Sequence, residues 1–343
     1  MKKLLNTLFV TTQGAYLNKD GETVTVNVEH EVKLRVPIHT LGGVVCFGQV
    51  SMSSFLMGFC AERGVLVSFL SNYGRFLARV QGPVSGNVLL RREQYRQADD
   101  PGASALMARS MVTAKIANCR TVLQRALRDH TEKVDDAAIR SAADRMSGIL
   151  MHLQHDLPLD RVRGFEGEAA NVYFSVFDHL IVAQKEDFRF AGRNRRPPLD
   201  RMNCLLSFLY TLLMHDVSAA LEAVGLDPAV GFLHRDRPGR RGLALDIMEE
   251  FRPFLADRMV LSLVNLGQIR AKGFKVMETG AVTMDDETRK NLLIAYQKRK
   301  QEEILHPYIG EKVAVGLLFH VQALLLARFL RGDLDGYPPF IWR

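Results

Sequence analysis

The chain has four cysteines in 343 residues, Cys46, Cys60, Cys119 and Cys204, far apart and with no C-x-x-C pair among them. That scarcity excludes an iron–sulfur or zinc site built from its own thiols and fits free buried thiols in a reducing compartment. Long apolar runs are lacking too. Cys204–Met214 falls short of the ~20 residues that span a bilayer, and Val313–Leu330 is interrupted by His320, Gln322 and Arg328. Both read as buried helices, so a cytoplasmic protein with no membrane segment is expected. Met1-Lys2-Lys3-Leu4-Leu5 imitates the start of a signal peptide, but Asn6 and Thr7 break the run at once, and a first β-strand is the expectation there. There is no internal repeat and no low-complexity tract. Nor is there a strong excess of one charge: 45 basic against 38 acidic residues leave +7. A nucleic-acid partner is compatible with that balance without being demanded by it.

What is present is a normal globular composition, 47% hydrophobic and 24% charged, in a length that suggests two domains. Residues 1–83 read mainly as strand. Val24–Val28 and Val32–Val36 alternate apolar and polar, Asp20-Gly21 marks a turn, Val65–Leu70 is a buried-strand run, and Ser53–Arg63 has helical spacing. Gly82-Pro83 and Ser85-Gly86-Asn87 punctuate a change of regime. Residues 84–103 are expected to form a linker and helix entry. Residues 104–343 are expected to be helical, with helices over Ser104–His130, Asp135–Gln154, Phe165–Leu180, Asn203–Val224, Asp246–Leu266 and Asp285–Leu305, and a short hairpin around Thr279-Gly280. The fold class is therefore α+β, a small β-rich N-terminal domain followed by a larger all-helical one.

Three acidic and histidine-bearing segments stand out in the second half: Gly164-Phe165-Glu166-Gly167-Glu168-Ala169-Ala170, Gly231-Phe232-Leu233-His234 and Asp246-Ile247-Met248-Glu249-Glu250-Phe251-Arg252-Pro253. Taken singly, an acidic residue on a helix is solvated or ion-paired, and Asp246 could cap its helix. Glu168 and Glu250 are expected to be surface partners of nearby arginines. Asp246 and Glu249, three apart, share a helical face, and Glu166 is expected to open another helix. If Glu166, His234 and Glu249 converge, two carboxylates and an imidazole without cysteine suit Mg²⁺ or Mn²⁺. The stretches Arg189–Pro198 and Arg235–Arg241 use arginine almost throughout, and a planar guanidinium suits bidentate contact with phosphate. Arg193, Arg196, Arg235 and Arg240 are the candidate DNA-backbone contacts.

In this order the segments resemble the CRISPR-associated integrase family, the metal-dependent nuclease of spacer acquisition. The resemblance rests on Glu166-Gly167 with Ala169-Ala170, on Gly225-Leu226-Asp227-Pro228 running to Gly231-Phe232-Leu233-His234, on Asp246–Pro253, and on Arg195–Asn203. Asn87–Arg92 and the Pro338-Pro339-Phe340 ending are similar to subtype I-C. The resemblance implies a β-sandwich-like N-terminal domain that dimerises and a helical catalytic domain. It implies metal ligation by Glu166, His234 and Glu249 with Asp246 as a further catalytic acid, and DNA as substrate. Its implied partners are a second copy of the chain, a small ferredoxin-like companion of the adaptation complex, and an iron–sulfur nuclease of the same operon. The implied activity is endonuclease and integrase chemistry that inserts captured DNA as new spacers. The rivals are a transposon-type or repair nuclease outside CRISPR and a non-catalytic DNA-binding scaffold.

Overall fold

The computed structural model describes residues 6–72, 76–80, 82, 88–129, 136–194 and 197–342. The chain divides into two compact units, 1–85 with 284–304 and 313–317, and 86–283 with 305–312 and 318–343.

The first unit holds strands β1 (Asn6–Val10), β2 (Tyr16–Asp20), β3 (Thr23–Val28), β4 (Glu31–Pro37), β5 (Leu41–Phe47) and β6 (Ser51–Met52), helix α1 (Ser54–Glu62), and strands β7 (Leu66–Leu70) and β8 (Phe76–Val80). Among the described residues they form two four-stranded sheets, ordered β1-β5-β7-β8 and β4-β3-β2-β6. Val10, Leu17, Val24, Val26, Val44, Cys46 and Val67 from these strands pack with Leu56, Phe59 and Cys60 of α1 into one apolar core. Such period-two side chains on paired strands bury one face of each sheet. Ser53 caps α1 by accepting the Leu56 N–H at 3.2 Å. β4 is an edge strand, and its apolar Val32 and Leu34 are exposed, at 47% and 44%.

Beyond the first unit's opening stretch the chain forms α2 (Val88–Asp99), α3 (Pro101–Asp129), α4 (Asp136–His152), α5 (Leu159–Ser175), α6 (Arg201–Val224), α7 (Gly242–Phe251), a π-helical turn at Arg252–Asp257 and α8 (Arg258–Asn265). A hairpin of β9 (Phe274–Val276) and β10 (Val282–Met284) precedes α9 (Asp286–Gln301); β11 (Glu303–Leu305), β12 (Lys312–Ala314) and α10 (Leu318–Leu330) complete the elements. α6 is capped by Asp200, whose side chain accepts the Asn203 N–H at 2.7 Å, and it stops at Gly225 with φ +95°, where a left-handed residue favours glycine. It is the one described helix long and apolar enough to cross a membrane, but two-thirds of its most apolar window is buried inside the fold.

The α+β class is as expected; several boundaries differ. The expected linker 84–103 contains a full helix, α2. Glu166 does not open its helix but lies two turns inside α5. The expected helical region 104–343 also gives α9 back to the β-rich unit. There the Arg289 guanidinium bonds the Asn72 carbonyl and lies 5.8 Å from the Phe47 ring, and Lys300 Nζ lies 3.5 Å from Thr7 Oγ1. Its N-cap, Asp285, accepts the Thr288 N–H at 2.8 Å. Helical periodicity identifies such an element without revealing which core it joins.

Candidate functional site: an acidic cluster and an oriented histidine

The site is built from the α6–α7 connection, α5, α3 and α7. The connection is held from outside by α2. Gln94, fully buried, donates from Nε2 to the carbonyls of Asp227 and Val230, both at 2.8 Å, and accepts the Asp227 N–H at 2.9 Å. Arg91 Nε reaches the Gly225 carbonyl at 3.1 Å and Tyr95 OH the Asp227 carboxylate at 2.8 Å. Gly231 has a steric reason to be glycine. A Cβ there would stand 2.5 Å from Asp246 Oδ2 and 2.6 Å from the Gly242 backbone, so the loop can lie directly on the first turn of α7 only without a side chain.

That close approach lets Asp246 act as an anchor. Fully buried, its Oδ2 accepts the N–H groups of Phe232 and Leu233 at 2.6 and 2.9 Å, and its Oδ1 accepts the His234 N–H at 3.0 Å. The same Oδ1 lies 2.6 Å from His234 Nδ1. Because the carboxylate only accepts, Nδ1 is the donor of this pair. All of these contacts engage Asp246 in aiming His234, the carboxylate–histidine arrangement that orients a ligating imidazole.

α5 meets this loop along one face. Arg163 Nε donates to the Leu233 carbonyl at 2.7 Å, and Asp160 accepts from Arg163 at 3.0 Å and from Arg235 at 3.2 Å. Glu166 follows at the same helical spacing and meets the ammonium of Lys115 from α3. Lys115 Nζ is also 2.8 Å from Glu249 Oε2. Arg252, at the start of the π-helical turn, pairs with Glu249 Oε1 at 2.6 Å and stacks 4.9 Å from the Tyr210 ring. Burial alone would raise the Glu249 pKa; Arg252, Lys115 and His234 together hold it below the ordinary carboxylate value. Burial would lower the Lys115 pKa, and the Glu249 and Glu166 carboxylates outweigh it and hold it above the usual lysine value.

The neighbouring Glu250 is not the surface partner of an arginine that its sequence suggested. It is fully buried and accepts from Tyr337 OH at 2.7 Å, the Phe340 N–H at 2.7 Å and Gln322 Nε2 at 3.1 Å. Burial pushes its carboxyl up to about 7 despite these donors. It pins the C-terminal segment, as does Asn118, which bonds Phe340 and Trp342. Glu168 does pair with an arginine, Arg145, at 2.5 Å.

The arginines divide. Arg193 spends its guanidinium inside the fold, on Asn203 Oδ1 at 2.6 Å and Ser207 Oγ at 3.1 Å, which leaves it poorly placed for the phosphate contact expected of it. Arg235 is exposed beside His234, and Arg240 folds back on the Arg235 carbonyl at 3.3 Å. Arg196 lies outside the described residues. Sequence reasoning missed Lys115, Arg252 and the α2 clamp. A signal for Lys115 existed: it falls on the stripe of α3 formed by Ala108, Met111, Cys119 and Val122, all buried, where a lone charge demands a partner.

Among the described residues no group of three or more His, Cys, Asp or Glu side chains is gathered as a ready metal cage; the Lys115 ammonium stands between the two carboxylates instead. The donor set nevertheless fits a hard divalent ion. Glu249 Oε2 is buried and makes no aligned hydrogen bond, although Nζ is near, and His234 keeps a free Nε2.

The family described as CRISPR associated protein Cas1 matches residues 8–298. This chain belongs to the Cas1 family. The CRISPR-associated endonuclease Cas1 1 of Chlorobaculum tepidum is 60% identical over all of both chains. A CRISPR-associated exonuclease Cas4/endonuclease Cas1 fusion of Geobacter sulfurreducens is 36% identical over 98% of this chain and 60% of its own length. The fold recurs in a casposase bound to integration product, with TM-score 0.84 and 21% identity over 98% of this chain and 94% of that one. It recurs again in a Cas6-RT-Cas1–Cas2 complex, with TM-score 0.82 and 21% identity over all of this chain and 36% of that one.

Proposed function

We propose that this chain is a metal-dependent DNA endonuclease and integrase that inserts captured DNA fragments as new spacers into a CRISPR array by phosphodiester transfer. Membership of an endonuclease family supports the reaction class. The observation that carries the metal-dependent reading is the meeting of Glu166 and Glu249 on a single cationic group, together with a His234 ring aimed by the buried Asp246 carboxylate. Glu166, His234 and Glu249 would hold Mg²⁺ or Mn²⁺. Such an ion, when bound, polarises a phosphoryl oxygen and lowers the pKa of an attacking hydroxyl. The protein's own residues do the rest. Asp246 fixes the tautomer and direction of the His234 ring, Arg252 keeps the buried Glu249 ionised, and Arg235 and Arg240 offer charge to backbone phosphates. During integration the nucleophile is the 3′-hydroxyl of the captured fragment; during simple cleavage it is water.

The assembly we propose follows the family resemblance: a homodimer through the β-rich unit, a small ferredoxin-like companion, cooperation with an iron–sulfur nuclease, and a cytoplasmic setting, in a subtype I-C system. The exposed Val32 and Leu34 on edge strand β4 support the dimer, since an open edge with apolar side chains favours pairing. The test is a strand-transfer assay with short duplex DNA, a supercoiled repeat-bearing plasmid and the purified companion protein. Joined product in Mn²⁺ and none in chelator is expected; DNA binding without cutting or joining would leave only a scaffold.

A further inference from the structure

Lys115 lies in the middle of an otherwise apolar helical stripe, and its side chain is only 9% exposed. Its ammonium contacts Glu166 Oε1 and, at 2.8 Å, Glu249 Oε2. Those are two of the three residues assigned above to a divalent ion. With Arg252 on Glu249 Oε1 at 2.6 Å, the cluster holds two fixed positive charges against two carboxylates. It is balanced as it stands, which is what permits it to be buried. A divalent ion entering between the carboxylates would meet Nζ at close range. The two carboxylates also differ in exposure, 28% for Glu166 against 2% for Glu249, so the side open to displacement is the Glu166 side.

We infer that Lys115 is a built-in placeholder for the metal: its ammonium holds the Glu166 and Glu249 carboxylates together when no ion is bound, opposes the divalent ion, and is displaced from between them, still protonated, when the ion binds. This rests on the metal reading and goes beyond it by naming a positioning residue that tunes affinity. Arg252 remains as the fixed partner of Glu249.

The test is calorimetric titration of Mn²⁺ into the full chain and into Lys115→Met and Lys115→Arg, with melting curves recorded in chelator and in Mn²⁺. Removing a unit charge beside a divalent ion is expected to tighten Mn²⁺ binding by about tenfold or more in Lys115→Met. The same variant is expected to melt earlier than the parent in chelator and to recover in Mn²⁺. Lys115→Arg, which keeps the charge, is expected to stay near the parent affinity. Lys115→Gln serves as a second neutral variant should the methionine fail to fold without metal; recovery of either neutral variant by Mn²⁺ supports the proposal. Binding by Lys115→Met no tighter than the parent's, or neutral variants that stay unfolded with and without Mn²⁺, would overturn it while leaving the metal reading standing. A parent chain that takes up no Mn²⁺ would end the metal reading itself, and this inference with it.

Discussion

The interiors of the two units are built on different terms. Among the described residues of the β-rich unit, the strands bury the polar Thr25 and Ser68 and helix α9 buries Thr288, Arg289 and Lys300, but no carboxylate is buried there. The helical unit buries Lys115, Asp246, Glu249, Glu250 and Asp257 along with Gln94, Asn118 and Gln322. Charges in a core are expensive, and replacing a buried ion pair by apolar side chains is often neutral or stabilising. A core that keeps this many is arranged for chemistry rather than for stability. The contrast repeats at the smallest scale on α7. Glu249 is held ionised by Arg252 and Lys115, while burial lifts the adjacent Glu250 to about 7. Two consecutive carboxylates thus take different parts, one facing the candidate site and the other bracing the C-terminal segment.

If that division is right, the largest effect belongs to His234→Ala. Mn²⁺-dependent cleavage and strand transfer should vanish while the melting temperature stays close to the parent's, because the ring is partly exposed; full activity would break the comparison. Asp246→Asn should lose about 10–100-fold in metal affinity or activity, the range for groups that orient a ligating histidine, measured by the same titration and assay. An unchanged Asp246→Asn would mean that the histidine needs no aiming.

A third prediction concerns pH. Burial raises the Asp257 carboxyl from 3.8 to about 6, against the opposing effects of Tyr210, Arg193 and Arg252; Tyr210 OH donates to it at 2.6 Å. Between those values the folded chain holds a proton that the unfolded chain has lost. Stability from this group should therefore fall as pH rises from about 4 to about 6, by about 3 kcal/mol, and level off above. Asp257→Asn should flatten that slope in denaturant unfolding. The smallest effect is expected for Glu168→Ala. It breaks an exposed pair with Arg145 and should cost under about 1 kcal/mol with activity kept; severe loss there would show that the wrong carboxylate of the Glu166–Glu168 segment has been assigned.

Much of the division into strand and helix was legible because period-two and helical spacing are local properties. The candidate site was legible in part. Glu166, His234 and Glu249 sit in short, distinctive segments; Gly231 marks a close backbone approach to Asp246, whereas a side chain at Gly164 or Gly167 beside Glu166 would meet nothing within 4 Å. What stayed hidden was long-range. Nothing local distinguishes Glu249 from Glu250; their roles separate only once Tyr337 and Phe340 fold back onto one of them. Arg193 looked like its neighbours in an arginine-rich loop, yet Asn203 and Ser207 claim it. α2 read as a linker because Gly82-Pro83 precedes it, and its work, clamping the His234 loop through Gln94, involves partners more than 130 positions away.

The central claim is that Glu166, His234 and Glu249 jointly hold one divalent ion. A crystal of the full chain soaked in Mn²⁺ and measured at the manganese absorption edge tests it most directly. The account expects one anomalous peak bonded to a carboxylate oxygen of Glu166, Nε2 of His234 and a carboxylate oxygen of Glu249, each within about 2.3 Å. A peak elsewhere, or none in crystals of protein that cuts and joins DNA in Mn²⁺, would contradict it.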